Sequence, residues 1–283
     1  MKEPVSHRQI AENPSPLEAV FYDHRKQGRK ALVAYLCGGF PSLSFSEELA
    51  YAVIEAGADV VEIGNPFSDP LADGPVIQDA SQQALRAGAN TRRVVEMAGS
   101  LKAKTGTPIV IMSYFNPILK YGTERFCLEG AGVGIDGVVV PDLPVEESPV
   151  LAVHARKYGL ACVPLAAPTT TGDRMQKIAA AAEGFIYCVS STGTTGGRLD
   201  RFDAAENLGA SLREITSKPL VLGFGIADPQ QISRVPSCYD GVIVGSSLVR
   251  LIDQYGGDPE LCLVKVRQYV GGLKEACVST SPA

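Results

Sequence analysis

Val60-Val61-Glu62-Ile63-Gly64-Asn65-Pro66-Phe67-Ser68-Asp69-Pro70-Leu71-Ala72-Asp73-Gly74-Pro75 begins as a short apolar run and turns into a loop punctuated by prolines. Two carboxylates, Glu62 and Asp73, bracket the change. A strand alternates its faces, so Glu62 shares a face with Val60 and Gly64. In a parallel sheet both faces are buried, and Glu62 is then a carboxylate in an apolar setting. An isolated buried charge is costly, so such a group shifts its pKa or finds a partner. That is one route to a general acid that stays partly protonated near neutral pH. Asp73 lies in a loop that prolines stiffen, and a stiff loop holds a carboxylate in one place. The plainer reading ends the strand in water and makes Asp73 an ordinary turn residue. These residues alone leave both open.

Working outward, seven more short apolar runs share this character: Ala31–Cys37, Pro108–Ser113, Gly137–Val140, Ala161–Leu165, Phe185–Val189, Pro219–Phe224 and Gly241–Val244. With 59–64 they make eight. They are rich in Val, Ile and Leu and show little alternation, as strands buried on both faces do. Helical patterns separate them, over 44–56, 77–87 with 91–104, 124–132, 146–158, 172–182, 204–216, 229–235 and 246–254. Most start near Ser, Asp or Pro, and several stop near Gly. Eight strand-helix units in a row predict an α/β fold, a (β/α)8 barrel. Extra helices are expected at 17–28 and 259–276, and disorder at 278–283. A doubly wound open sheet fits less well, because no G-x-G-x-x-G follows the first run. No linker or low-complexity stretch divides the chain, so one domain is expected over 1–283, with its barrel core at about 29–256.

The 283 residues are 45% hydrophobic and 20% charged, an ordinary globular balance. The net charge of -5, with no basic block, argues against nucleic acid as a partner. No apolar run approaches the roughly 20 residues of a membrane helix. The polar start, Met1 to Pro16, lacks a signal-peptide core, so a cytoplasmic protein is expected. The seven cysteines form no C-x-x-C pair, and the three histidines are isolated, so no metal site is expected.

In a (β/α)8 barrel, chemistry belongs at the C-terminal ends of the strands. Glu62 falls there, as do Tyr114 with Asn116-Pro117, and Pro141-Asp142-Leu143-Pro144. The last three strands end in glycine-rich turns: Ser190 to Arg198, Gly223-Phe224-Gly225-Ile226 and Gly245-Ser246-Ser247. Gly lets a ligand approach backbone N–H groups, and a helix start supplies free donors with a partial positive charge. Gly245-Ser246, with Gly225 and Gly196, reads as a phosphate site; the bland alternative is three tight turns. The Thr-, Ser- and Gly-rich stretch 190–200 reads as a lid or as a plain surface loop.

The stretch Glu62-Ile63-Gly64-x-Pro66-Phe67-Ser68-Asp69-Pro70-Leu71-Ala72-Asp73-Gly74-Pro75 resembles the signature of the tryptophan synthase alpha chain. The likeness continues through Tyr114-x-Asn116-Pro117, Asp142-Leu143-Pro144-x-Glu146-Glu147, Gly193-Thr194-Thr195-Gly196, Gly223-Phe224-Gly225-Ile226 and Gly245-Ser246, in order from about Leu17 to Asp253. It implies a (β/α)8 barrel that cleaves indole-3-glycerol phosphate to indole and glyceraldehyde 3-phosphate, with no metal or organic cofactor. By resemblance, Glu62 is the general acid-base and Asp73 accepts the indole N–H hydrogen bond. Tyr35, Met112 and Val139 line the indole pocket, Tyr187 stands near the reacting end, and Tyr114 counts among the substrate-binding residues. Thr195 is the lid threonine that meets Asp73 on closure, and phosphate falls to Gly196, Gly225, Gly245 and Ser246. The resemblance also implies a separate beta chain in an alpha2beta2 tetramer, docked around Asp69-Pro70, Asn116 and Asp142.

The sequence departs from the family pattern in three places. Asn65 stands where an apolar residue is usual, and an amide there has the means to hydrogen-bond near the catalytic carboxylate. Cys37-Gly38-Gly39-Phe40-Pro41 replaces Thr-Ala-Gly-x-Pro, and Ser191 stands where some members carry Arg. Other functions remain open: a stand-alone lyase releasing free indole, a weakly active partner of a beta chain, or another phosphate-binding barrel.

Overall fold

The sheet begins with β1 (Ala31–Cys37) at the centre of the hydrogen-bonding order, flanked by β2 (Val60–Gly64) and by the last strand, β9 (Gly241–Val244). The computed structural model describes residues 14–189, 202–223 and 225–279. Outward from β2 lie β3 (Ile109–Met112), β4 (Gly137–Val139) and β5 (Ala161–Val163). Outward from β9 lie β8 (Leu220–Gly223), β7 (Ile186–Val189) and β6 (Leu165–Ala166). Every pairing is parallel. The two ends of this order, β5 and β6, are one stretch of chain interrupted only by Pro164. Proline has no N–H for a ladder, yet its carbonyl still accepts from the Tyr187 amide at 3.0 Å. The sheet therefore closes on itself, and the eight predicted runs form a (β/α)8 barrel. The fifth run splits in two at its proline.

Helices cover the outside: α1 (Pro16–Lys26), α2 (Leu43–Glu55), α3 (Pro75–Arg86), α4 (Thr91–Thr105), α5 (Phe115–Tyr121), α6 (Thr123–Gly132), α7 (Pro149–Tyr158), α8 (Gly172–Ala181), α9 (Asp203–Ile215), α10 (Pro229–Ser233), α11 (Ser246–Tyr255) and α12 (Pro259–Val278). The short α5 escapes sequence reading because Pro117 sits inside it. It stands in the first turn, where N–H groups have no intrahelical acceptor, so proline costs nothing there. The expected disorder at 278–283 fails at its first residue, since Val278 ends α12, while 280–283 lie outside the described residues. No helix among the described residues is long and apolar enough to cross a membrane.

The N-terminal end of the barrel is held by carboxylates. α1 starts with a reciprocal Ser15–Glu18 cap and buries Leu17 and Phe21, the latter ring 5.2 Å from Phe185. Asp59 stands just before β2. Its own amide donates to the Leu32 carbonyl, and its side chain accepts the Leu32 amide at 2.8 Å. Asp136 repeats the device with Ile109, Glu183 with Cys162 and Asp240 with Leu220. Each acid also meets a cation: Lys274 on Asp59, Lys102 on Asp136, Arg156 on Glu183, Arg25 and Arg213 on Asp240. Burial works against the Asp59 charge, but hydrogen bonds from His24, the Leu32 amide and Lys274 outweigh it and hold its carboxyl below the ordinary value.

Candidate active site

At the opposite end of the barrel the carboxylates are treated differently. Glu62 is the third residue of β2, every residue of which is buried. Its register partners are Tyr35 on β1 and Val110 on β3, so the three side chains share a face. The phenol of Tyr35 lies where a Cβ on Gly64 would stand. Gly64 and Glu62 are two residues apart on one strand, so Glu62 points to the same side as that ring. Glu62 is fully buried, and neither carboxylate oxygen has a hydrogen-bond partner among the described residues. Burial first, and the charge of Asp73 second, push its carboxyl up to about 8. The apolar setting foreseen for Glu62 is what its burial provides.

Asp73 comes from the loop that follows β2, but it is not the open polar carboxylate that a loop position suggests. It is 5% exposed. Burial pushes it up to about 6 against the opposing hydrogen bond from Tyr114. Tyr114 caps the N-terminus of α5, and its hydroxyl also accepts the Ala72 amide at 2.9 Å. Phe67 packs on the Tyr114 ring with centroids 5.5 Å apart. Gln78 Nε2 donates to the Asp73 carbonyl at 2.8 Å from the first turn of α3. The stiff loop is therefore tied at both of its faces, to β3 through Tyr114 and to its own helix through Gln78. Sequence reading placed Tyr114 at the site but missed that it holds Asp73. The signal was a tyrosine directly after an apolar run and before Asn-Pro.

Tyr35 and Tyr187 are both buried beside these acids, and the charges of Glu62 and Asp73 help burial to raise both phenols. They stand over glycines on adjacent strands: Tyr35 over Gly64, Tyr187 over Gly223. Met112 and Val139 are register partners at the ends of β3 and β4, level with Gly64 and two residues beyond the Glu62 row. The strands thus bring together Tyr35, Glu62, Met112, Val139 and Tyr187, with Asp73 and Tyr114 supplied by loops. Two unequal acids thus stand together in a buried, mostly apolar setting.

On the other side of the mouth, Val244 ends β9 and α11 starts at Ser246, with Gly245 as its N-cap. Gly245 contacts Tyr35, so this helix start adjoins the pocket. Ser247 is engaged, donating to the Ile226 carbonyl and accepting from Tyr269 at 2.7 Å. No hydrogen bond engages the Ser246 hydroxyl among the described residues, and its neighbouring backbone N–H groups open a helix. Gly225 adopts a φ of +85°, a region glycine enters freely. Thr195 and Gly196, with the rest of 190–200, lie outside the described residues, as does Phe224.

Asp69 and Asp142 are exposed on the loops after β2 and β4, Asn116 is exposed in the first turn of α5, and Pro70 is half-buried. Asp142 accepts the Phe115 amide at 2.9 Å and so joins the loop after β4 to the start of α5 after β3. Between Pro70 and Asp73 stands Leu71, 85% exposed. Among the described residues no group of three or more His, Cys, Asp or Glu side chains is placed to hold a metal ion.

The Asn65 side chain turns away from Glu62. Its amide nitrogen donates to Thr91 Oγ1 at 3.1 Å and to Ser113 Oγ at 3.0 Å.

Comparison with known proteins gives the family and agrees with the fold. The family model of the tryptophan synthase alpha chain matches residues 21–278. The tryptophan synthase alpha chain of Carboxydothermus hydrogenoformans is 48% identical over 241 residues, 85% of this chain and 90% of that one. That of Alkaliphilus metalliredigens is 43% identical, over 89% and 94%. A chain of the solved tryptophan synthase from Mycobacterium tuberculosis superposes with a TM-score of 0.86 at 32% identity, over 94% of this chain and 99% of that one. The alpha subunit from Legionella pneumophila gives 0.85 at 31% identity, over 94% and 99%. With its barrel, its paired acids and this degree of likeness, the chain belongs to the tryptophan synthase alpha chain family.

Proposed function

We propose that this chain is a lyase that cleaves indole-3-glycerol phosphate to indole and glyceraldehyde 3-phosphate, the alpha reaction of tryptophan biosynthesis. The observation that carries the reading is Glu62: a fully buried carboxyl in β2, two residues before the strand's C-terminal end, with no hydrogen-bond partner among the described residues and its pKa pushed up to about 8. Such a group is protonated at neutral pH and has a proton to give.

The reaction is a retro-aldol cleavage. Glu62 delivers its proton to C3 of the indole ring, which becomes an indoleninium with the positive charge on nitrogen. Asp73, ionised above about 6, accepts the indole N–H hydrogen bond and stabilises that charge where it develops. The Glu62 carboxylate, having lost its proton, takes the proton of the side-chain hydroxyl carbon's O–H. That oxygen becomes the aldehyde, the bond from its carbon to indole C3 breaks, and the electron pair returns to the ring. Glu62 ends protonated, as it began. Tyr35, Met112, Val139 and Tyr187 enclose the ring, with Tyr114 holding Asp73. Gly225, Gly245 and Ser246 receive the phosphate, and the family pattern adds Thr195 and Gly196.

We further assign a beta chain as partner, in an alpha2beta2 assembly in the cytoplasm, docking on Asp69, Pro70, Asn116 and Asp142. Leu71 fits this: a large apolar side chain held in water on the loop that carries Asp73 gains when its surface is taken out of water. The deciding experiment is steady-state cleavage of indole-3-glycerol phosphate by the isolated chain, with and without a beta chain. Slow cleavage that rises on adding the partner is the expected result. Fast cleavage with no response indicates a stand-alone lyase, and no cleavage in either case overturns the reading.

A further inference from the structure

Asn65 is an amide buried to 5% exposure directly after the Glu62 strand. Its backbone amide donates to the Met112 carbonyl at 2.7 Å, extending the β2–β3 ladder by one step. Its side chain then binds two hydroxyls, Thr91 at the start of α4 and Ser113 just after β3. Ser113 is 1% exposed, and its hydroxyl donates to the Tyr114 carbonyl at 3.0 Å. A serine hydroxyl has one hydrogen. Spent on Tyr114, it leaves the oxygen able only to accept from Asn65. The amide is thereby forced to present its NH2 group to Ser113. Its Oδ1 is left buried with no partner among the described residues.

An unpaired buried acceptor costs stability, and an apolar side chain at this position would avoid it. What the amide gains in exchange is a fixed Tyr114. Ser113 is held from two sides, by its backbone N–H on the Val139 carbonyl at 2.9 Å and by its hydroxyl on Asn65 and Tyr114. The Tyr114 peptide is thus anchored where the chain turns from β3 into α5. From that anchor the phenol reaches the loop after β2 and meets both the Ala72 amide and Asp73.

We propose that Asn65 is a positioning residue for the cleavage reaction: through Ser113 it fixes Tyr114, and through the Tyr114 hydroxyl it holds the Asp73 carboxylate against the indole N–H. The inference rests on the function assigned to Asp73 above. It gives the departure from the family's apolar residue a role that acts on Asp73 rather than on Glu62.

The titratable groups that face Asp73 are Tyr35 and Cys37 on β1, Glu62 on β2, Tyr187 on β7 and Tyr114 after β3, and the Asp73 charge raises each of them; Asp73 itself is set by burial and by the opposing hydrogen bond from Tyr114. Of these, Tyr114 supplies the hydrogen bond that favours the charged form. Loosening it raises the pH at which Asp73 ionises.

The test uses the full chain carrying Asn65→Val, with Ser113→Ala breaking the same link one atom further on should the first variant fold poorly. Two readouts are taken. In steady-state cleavage, kcat is expected to fall about tenfold with KM nearly unchanged, because misplacement at the reacting end has effects of this order. Combined with Tyr114→Phe, Asn65→Val should add little further loss, since both cut one chain of contacts. In an NMR titration of the Asp73 side-chain carboxyl, the midpoint should move to higher pH in Asn65→Val, and in the same direction in Tyr114→Phe. An unmoved midpoint, or losses that simply multiply in the double variant, overturns the proposal. The two readouts separate the hypotheses. A wild-type chain that shows the midpoint shift on mutation but cleaves no indole-3-glycerol phosphate overturns the function while leaving the link from Asn65 to Asp73 standing.

Discussion

The phenol of Tyr35 fills the space above Gly64 that any larger residue would need. Gly64 is two residues beyond Glu62 on β2, so this contact sets how far the ring leans over the acid. The Gly64 side chain is absent for a packing reason, since its backbone does not adopt a positive φ. Gly64→Ala is therefore expected to push the ring off its site. Overpacking of this kind costs about 1–3 kcal/mol of stability. A displaced ring in a pocket that orients substrate should also lower kcat/KM by about tenfold or more. Urea unfolding and steady-state kinetics on the same preparation check both; a variant with wild-type kcat/KM would mean that Tyr35 takes no part in shaping the pocket.

The two acids predict a bell-shaped pH profile. Glu62 must be protonated to start the reaction, and its carboxyl stands at about 8. Asp73 must be ionised, and it stands at about 6. Activity should rise through the lower value and fall through the upper one, with both limbs belonging to the coupled pair. Glu62→Gln removes the proton that C3 needs and is expected to lower kcat by about 10²–10⁴-fold, the range of general acid-base catalysis. Near-normal turnover in that variant would falsify the assignment of the acid.

The same substitution should change stability in the opposite sense, and only at high pH. The folded-state carboxyl of Glu62 lies above its unfolded value of 4.5. The folded chain therefore binds a proton that the unfolded chain has released, and stability falls as pH rises from about 4.5 to about 8. Glutamine never ionises, so it escapes this loss. Glu62→Gln is expected to match the wild type at pH 5 and to exceed it at pH 8.5 by about 1–3 kcal/mol, a conservative share of what burying a charge costs. Chemical denaturation at the two pH values gives the comparison.

At the phosphate end, Ser246 offers a hydroxyl with no partner among the described residues, at the first turn of α11. A hydrogen bond to a charged group contributes about 1.5–3 kcal/mol. Phosphate is bound alike in substrate and transition state, so its loss should appear mainly in KM. Ser246→Ala is expected to raise KM about tenfold or more on that energy, with kcat altered much less. Inhibition constants for inorganic phosphate should weaken in parallel.

The barrel was legible because its strands carry a signal that tertiary packing does not override: runs of Val, Ile and Leu, buried on both faces, at regular spacing. The failures have local causes. Pro164 divides the fifth run into β5 and β6, and proline reads as a boundary only when its effect on one ladder is known. Pro117 hid α5 because a proline in a first turn looks like a helix breaker. At the site, Glu62 was legible as a carboxylate among apolar neighbours. The burial of Asp73 was not, since it depends on Tyr114 closing over the loop from an element far away in sequence. The bonding of Asn65 was invisible for the same reason: Ser113 lies 48 residues away.

Carboxylates at the two ends of the barrel differ in what surrounds them, and a substitution at the lower end tests the division of labour. Asp240 is buried and accepts hydrogen bonds from Arg25, Arg213 and the Leu220 amide. It ties α1, α9 and the start of β8 into one cluster. Removing it leaves a strand amide without its acceptor and two partly buried guanidinium groups without their counter-charge, though each still donates to backbone carbonyls. Breaking one partner of a buried ion pair costs about 3–5 kcal/mol. Asp240→Ala is expected to lower unfolding stability by an amount of that order. Among the described residues Asp240 pairs with Arg25 and Arg213 and the Glu62 oxygens bond to nothing, so kcat of the folded fraction should stay within about twofold of wild type, as additivity between distant sites requires. A fall in kcat larger than the fall in folded fraction would show that the lower clamp also sets the geometry at the upper mouth, and the division between a stabilising end and a chemical end would have to be abandoned.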